Sequence, residues 1–425
     1  MRYLYTALLY LATPLILTRL YRRSRKDPDY RRRWAERFGL FPPLPAGGCL
    51  WLHAVSVGET RAALPLIRAL QARYPDLPLL VTTTTPTGSR QVRQALGNTV
   101  SHVYTPYDLP DVIRRFLRRT RPRLAVIMET ELWPNLLRGC RAAGVPVIVA
   151  NARLSERSAR RYGKLPGLTA PMLADTTLIA AQTEADAARF RALGAPQVQV
   201  MGNLKYDLTL PEGLPEEGRE LRRRLGEQRP VLIAASTHAG EDELVLDVFA
   251  RLRRDHPNLL LILVPRHPER FNDVAELCRR RGLVVVRRSE GQPCPPSTPV
   301  FLGDTMGELL LFYAAADIAF VGGSLTPTGG HNVLEPALLG LPVLFGSHMF
   351  NFMEAGQRLL EARAAWQVAD AAELAGVTGQ LLADPIQAQA AGQRGRAAVE
   401  ANRGALAVLL KSIGKIVELW KLAHP

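Results

Sequence analysis

Cysteine is scarce and scattered in this 425-residue chain: Cys49, Cys140, Cys278 and Cys294 form no C-x-x-C pair. That spacing argues against a cysteine-ligated zinc site and a disulfide framework, and it fits a reducing cytoplasm. Nucleotide signatures are also missing. No G-x-G-x-x-G follows a strand-like run, and no G-x-x-x-x-G-K-[ST] occurs. The lone Asp-x-Asp, Asp27-Pro28-Asp29, lies among arginines near the N-terminus, so a metal–diphosphate site is not expected. Aromatics make up only 7% of residues, too few for the interleaved aromatic and basic surface of a nucleic-acid binder. Acidic residues are outnumbered, 39 against 54 Lys and Arg, giving a net charge of +15 that calls for an acidic partner.

The distribution of that charge is more telling than its size. Residues 1–37 hold ten Lys and Arg against Asp27, Asp29 and Glu36, nearly half the excess in under a tenth of the chain. These arginines follow an uncharged stretch, Tyr3 to Thr18, rich in leucine. As a helix it reaches roughly 24 Å, short of the ~30 Å hydrocarbon core, with Arg2 and Arg19 placed to snorkel. A secretory signal peptide fits poorly. The positive n-region is thin, Pro14 interrupts the run, and arginines stand where a small-residue cleavage site belongs. The reading is an uncleaved anchor, spanning or interfacial, with an arginine collar (Lys26 included) on anionic head groups and the remaining chain in the cytoplasm.

Beyond residue 37 the chain alternates strand-like and helix-like runs. Cys49 to Leu52 reads as a buried strand, and Leu64, Ile67 and Leu70 give the following helix its apolar face. The joint between them, His53-Ala54-Val55-Ser56-Val57-Gly58-Glu59, places Glu59 in the first helical turn above the carboxyl edge of a sheet, where open α/β sheets bind ligands. The helix dipole is expected to hold Glu59 ionised, as a general base requires. The pattern recurs about 180 residues later. Gly58-Glu59 and Gly240-Glu241 are each followed by a proline 16 residues after the Glu and another 11 residues further on. Two doubly wound α/β domains follow from this repeat. The expected division is anchor and collar 1–37, first Rossmann-like domain 38–206, linker 207–229, second Rossmann-like domain 230–404, and C-terminal helix 405–425.

The second half carries Gly322-Gly323-Ser324 and then Gly329-Gly330-His331-Asn332-Val333-Leu334-Glu335-Pro336 after a strand ending at Val321. Free N–H groups of such a loop at a helix start can take a phosphate, and Glu335 is placed to accept from ribose hydroxyls. Ser236 and Thr237, in the turn equivalent to Ser56-Val57, are candidate phosphate contacts.

Six ordered motifs carry a resemblance that covers nearly the whole chain. They are His53–Glu59, Glu129-Thr130-Glu131-Leu132-Trp133-Pro134-Asn135, Asn151–Ser155, Gly202–Asp207, Val264–Arg270 and Gly329–Pro336. The sequence is similar to the 3-deoxy-D-manno-octulosonic acid (Kdo) transferases of lipopolysaccharide assembly. The resemblance implies a GT-B fold, two Rossmann-like domains facing a cleft. It implies Kdo transfer from CMP-Kdo to the lipid A precursor lipid IVA, at the cytoplasmic face of the inner membrane, with neither metal nor other cofactor.

On this reading Glu59 takes the proton of the acceptor hydroxyl in an inverting displacement. Glu129 or Glu131, after the strand Leu124–Met128, faces the oxocarbenium-like charge; the choice leans to Glu131. Lys205 neutralises phosphate or sugar carboxylate. Arg266, His267 and Pro268, with Met306, Gly307 and Glu308, resemble the CMP site of the family, alongside Asn332, Val333, Leu334 and Glu335. A UDP-N-acetylglucosamine transferase or epimerase shares the architecture, but gives no reason for Glu59 in this motif beside an anchor. A basic protein without catalysis does not explain charge gathered next to an apolar N-terminus.

Overall fold

The computed structural model describes residues 1–25, 27–44 and 47–423; Lys26 of the collar and His424-Pro425 lie outside them. The chain divides into two units, Met1–Asp207 with the residues from Arg403 onward, and Leu208–Asn402. Each is a seven-stranded parallel sheet covered by helices.

The first sheet comprises β1 (Cys49–His53), β2 (Leu79–Thr83), β3 (Ser101–Tyr104), β4 (Pro122–Met128), β5 (Val147–Ala152), β6 (Leu178–Ala181) and β7 (Val198–Val200). Its order is β3-β2-β1-β4-β5-β6-β7. β1, β2 and β5 are buried along their whole length, which explains their unbroken apolar runs. Alternate residues feed two cores: Trp51, Ala125 and Val149 on one face, Leu52, Val126 and Ile148 on the other. The second core is completed by Ala405, Leu409, Ile413 and Val417 of the Ala405–Ala423 helix, which packs on this unit. Asp207 fixes the start of that helix, its two oxygens accepting from Gly404 N and Leu406 N, both at 2.7 Å.

The second sheet comprises β8 (Val231–Thr237), β9 (Leu260–Pro265), β10 (Val285–Arg287), β11 (Val300–Leu302), β12 (Ile318–Val321), β13 (Val343–Phe345) and β14 (Ala365–Gln367), in the order β10-β11-β9-β8-β12-β13-β14. The stretch 207–229, expected as a linker, is largely part of this unit. Its helix Leu214–Leu225 buries Leu221 and Leu225 in the core with Val231 and Phe312. Strand order reverses between β1 and β4 in one unit and between β8 and β12 in the other. Those switch points open a crevice at the carboxyl edge of each sheet.

The N-terminal helix runs Arg2–Ser24, longer than the apolar stretch alone suggested and reaching about 35 Å at 1.5 Å per residue. It has the length and composition to cross a membrane. One side is tied to the first unit: Tyr5 Oη donates to Asp108 Oδ2 at 2.9 Å, Thr6 Oγ1 to Asn135 Oδ1 at 3.1 Å, and Tyr10 Oη to Asp111 Oδ1 at 2.6 Å. Leu4, Leu8, Leu11 and Leu15 are exposed.

Candidate active site

β1 ends at His53 and the helix Val57–Arg73 begins with Ser56 as its N-cap, the Ser56 Oγ accepting from Glu59 N at 3.2 Å. The Glu59 side chain folds back over that turn. Its Oε2 accepts from Val55 N and its Oε1 from Ser56 Oγ, both at 2.8 Å, leaving the residue only 7% exposed. Burial raises the Glu59 carboxyl from 4.5 to about 7, against two hydrogen bonds that lower it; Glu129 and Glu131 raise it further. The expectation of a Glu59 held ionised is corrected by this: at this depth desolvation outweighs the two hydrogen-bond donors. A carboxyl poised near neutrality suits a general base better than a fixed anion does.

β4 lies beside β1, with His53 opposite Ile127, so the residues following β4 arrive at the same switch point. Glu129 follows Met128 with φ +57, in the left-handed region that a non-glycine residue rarely occupies. Glu131 is raised by burial, opposed by its hydrogen bond from Trp133, and raised again by Glu129; Trp133 Nε1 donates to Glu131 Oε2 at 2.9 Å. The structure thus brings Glu59, Glu129 and Glu131 together.

Two supporting residues carried no assigned role in the sequence. His53 is buried, and burial lowers it to about 4, so it is neutral. Trp51 Nε1 donates to Thr82 Oγ1 at 2.9 Å, and that hydroxyl lies 2.9 Å from His53 Nδ1. The Thr105 hydroxyl lies 3.3 Å from the same nitrogen, so two hydroxyls flank Nδ1. Nε2 has no hydrogen-bond partner, and the ring meets Trp133 edge-on at 5.4 Å. Asn151, at φ +54 near the end of β5, accepts from Leu204 N at 3.0 Å and so fixes the turn Leu204–Tyr206 that carries half-buried Lys205. Asparagine is enriched at positive φ, the one signal in the sequence that marks such a position.

In the second unit the switch point is built differently. Glu241, the counterpart of Glu59, is fully buried. Its Oε2 accepts from His238 N at 2.9 Å and Gly323 N at 2.7 Å, and its Oε1 accepts from Ser324 N and Leu325 N, both at 2.9 Å. The expectation that N–H groups of the glycine-rich loop stand free for phosphate is therefore corrected for Gly323, Ser324 and Leu325, which hold this carboxylate. Ser236 sits at φ +58 beside the crevice, but the Thr237 hydroxyl is buried and donates to Asp242 Oδ1 at 2.6 Å, so Thr237 is structural. Arg270 binds the other Asp242 oxygen, and its Nη1 donates to Thr237 O at 3.1 Å.

His238 and His331 stack at 5.1 Å with Nε2 atoms 2.8 Å apart, and His267 meets His238 edge-on at 5.3 Å. Gly323 makes the stack fit. At φ +67, a Cβ there would lie 2.9 Å from His331 Cδ2. Arg266 follows the last residue of β9, and its N–H donates to Thr237 O at 3.0 Å. Pro268 and Met306 are exposed, and Gly307 stands at φ +91. The Glu308 carboxylate is held by Arg288, 2.7 Å away, which lowers it. Asn332 Nδ2 donates to Glu335 Oε1 at 2.9 Å, and Asn332 Oδ1 accepts from Leu334 N at 3.1 Å. The Val333 and Leu334 side chains are wholly buried, so their expected part in binding narrows to backbone atoms.

Two doubly wound units, one with a carboxylate cluster at its switch point and the other with a histidine and arginine cluster, have the architecture of the GT-B class. The family described as 3-Deoxy-D-manno-octulosonic-acid transferase (kdotransferase) matches residues 32–208. The 3-deoxy-D-manno-octulosonic acid transferase of Haemophilus influenzae is 45% identical over 98% of this chain and 99% of its own. The chain therefore belongs to the Kdo transferase family. Solved structures at lower identity share the fold. UDP-GlcNAc 2-epimerase from Neisseria meningitidis matches with TM-score 0.55 at 14% identity, covering 87% of this chain and 100% of that one. The spinosyn rhamnosyltransferase SpnG gives 0.51 at 14%, covering 85% and 99%.

Proposed function

We propose that this enzyme moves Kdo from CMP-Kdo to lipid IVA in a single inverting displacement, with Glu59 as base. The observation that carries the reading is a buried carboxyl raised to about 7 at the β1–β4 switch point, beside two further carboxylates. The acceptor hydroxyl gives its proton to Glu59 as its oxygen bonds to the anomeric carbon. The bond from that carbon to the phosphate oxygen breaks, and CMP departs with the electron pair. Glu131, oriented by Trp133, faces the positive charge that develops on the sugar, and Glu129 shares that field. Lys205 neutralises the donor's acidic groups.

The second unit takes the nucleotide. Arg266, His267 and Pro268 after β9, the Met306-Gly307 turn, Ser236, and the Asn332–Glu335 helix start surround one crevice edge, and cationic side chains balance a single phosphate without a divalent ion. The N-terminal helix and its basic collar hold the enzyme on the cytoplasmic side of the inner membrane, where the acceptor resides. Mass spectrometry of the lipid formed from CMP-Kdo and purified lipid IVA, in excess chelator, tests donor, acceptor and metal independence together. A product heavier by Kdo residues is expected. Activity that needs added magnesium or manganese overturns the metal-independent assignment, and absence of product overturns the substrate assignment.

A further inference from the structure

A recess of about 360 Å³ opens in the first unit between the N-terminal helix and the helices Glu156–Gly163 and Pro166–Ala174. Its walls are mostly apolar, among them Leu132, Leu165, Leu168 and Met172, with Tyr5 contributed by the N-terminal helix and exposed Arg161 at the rim. Three features point to one kind of occupant. Leu132 stands between Glu131 and Trp133, so the recess adjoins the carboxylate cluster. The Tyr162 phenol, also in the lining, is raised by burial and then by the Glu131 charge, which places it within that carboxylate's field. Tyr5, fixed by Asp108, belongs to the helix whose Leu4, Leu8, Leu11 and Leu15 are exposed, so one wall of the recess is supplied by the helix with the exposed apolar face. Arg157 and Arg160 accompany Arg161 on the Glu156–Gly163 helix, which buries none of its residues and offers cations to an anionic head group.

We propose that this recess takes a fatty acyl chain of the acceptor, with Arg161 paired to the acceptor's phosphate, and so sets which lipids are substrates. The inference rests on the proposed transfer to an acylated, phosphorylated disaccharide. A polar sugar alone does not match the apolar walls, and an uncharged lipid leaves the arginines unmatched.

Acceptors of graded short acyl length, each kept monomeric in water below its critical micelle concentration, provide the test, with CMP release as the readout. Leu168→Trp fills the recess. Leu165→Trp does so from a position already 45% exposed and therefore tolerant of a larger side chain. Both variants are expected to shift preference toward shorter chains, each methylene excluded raising KM about fourfold, the equivalent of ~0.8 kcal/mol per buried CH₂. Donor affinity should stay unchanged. An equal rise in KM at every chain length, or a loss confined to vesicle binding, overturns the assignment. A wild-type enzyme indifferent to acyl length also overturns it while leaving Kdo transfer intact. Wild-type enzyme that releases no CMP with any acceptor defeats the transfer reading itself.

Discussion

Glu59→Gln separates catalysis from stability, because the two should move in opposite directions. Gln keeps the hydrogen bonds: its carbonyl accepts from Val55 N, and its amide donates to Ser56 Oγ, in place of the carboxylate contacts at 2.8 Å. It removes the proton acceptor, and general base catalysis is worth typically ~10²–10⁴-fold, so turnover should fall by at least about a hundredfold. In the wild-type enzyme kcat/KM should rise with pH and level off above about 7, as Glu59 ionises. Stability takes the reverse course. The folded value lies above the ordinary 4.5, so between pH 4.5 and about 7 the native protein binds more protons than the unfolded chain, and stability falls as pH rises through that window. Above it, holding a buried ionised carboxylate costs up to roughly 3 kcal/mol. Gln pays nothing for ionisation and gives back about 1 kcal/mol per weakened charged hydrogen bond. The variant should therefore melt at or above the wild-type temperature at pH 8 and no higher at pH 5. Turnover, calorimetric donor affinity and melting at both pH values on one preparation provide the assay. Near-normal turnover would falsify the base assignment, and a variant clearly less stable at pH 8 would show the carboxylate to be a structural anion.

Three further outcomes follow from the same geometry. Glu241→Gln puts an amide against two of the four N–H donors that its carboxylate satisfies, at about 1–3 kcal/mol for each group left unmatched; denaturant unfolding should show a loss of roughly 2–6 kcal/mol, and an unchanged midpoint refutes the role. Trp133→Phe removes the donor that holds Glu131, a charged hydrogen bond worth about 1.5–3 kcal/mol; kcat should drop roughly 10- to 100-fold with CMP affinity unchanged, and a defect confined to KM argues against it. Replacing Leu8, Leu11 and Leu15 with serine should abolish co-sedimentation with anionic vesicles while CMP release with detergent-solubilised acceptor persists; retained vesicle binding removes the anchor reading.

The parallel sheets were legible because their central strands are unbroken apolar runs, and the repeat around Glu59 and Glu241 located both switch points. Strands β3, β11 and β14 are only three or four residues long, and β3 and β14 stand at sheet edges, where little apolar pattern can accumulate. The place of Glu59 in the first helical turn is legible in the sequence, whereas its ionisation is not. Position along a helix is written in the sequence, whereas depth of burial depends on how the side chain folds back over Val55 and Ser56. The left-handed backbone at Glu129 and Ser236 was equally invisible, since neither residue type advertises it.

The repeat carries a further consequence for Glu59. Both glutamates cap the same strand-to-helix turn, and both accept a backbone N–H from the residues just before the helix. Glu241 goes on to collect three more N–H groups from the loop after β12, so its charge is fully met and it serves as a structural anion. The strand in the corresponding place in the first unit, β4, is followed by Glu129 and Glu131 instead of a glycine-rich turn. There the same carboxyl keeps only the donors Val55 N and Ser56 Oγ; burial is the main cause of its raised proton affinity, and the charges of Glu129 and Glu131 add to it. One turn geometry thus yields a carboxylate that holds a loop in one unit and, in the other, a carboxyl that burial raises to about 7. The neighbouring strand ends supply the structural difference: three backbone N–H donors follow β12, and two further carboxylates follow β4.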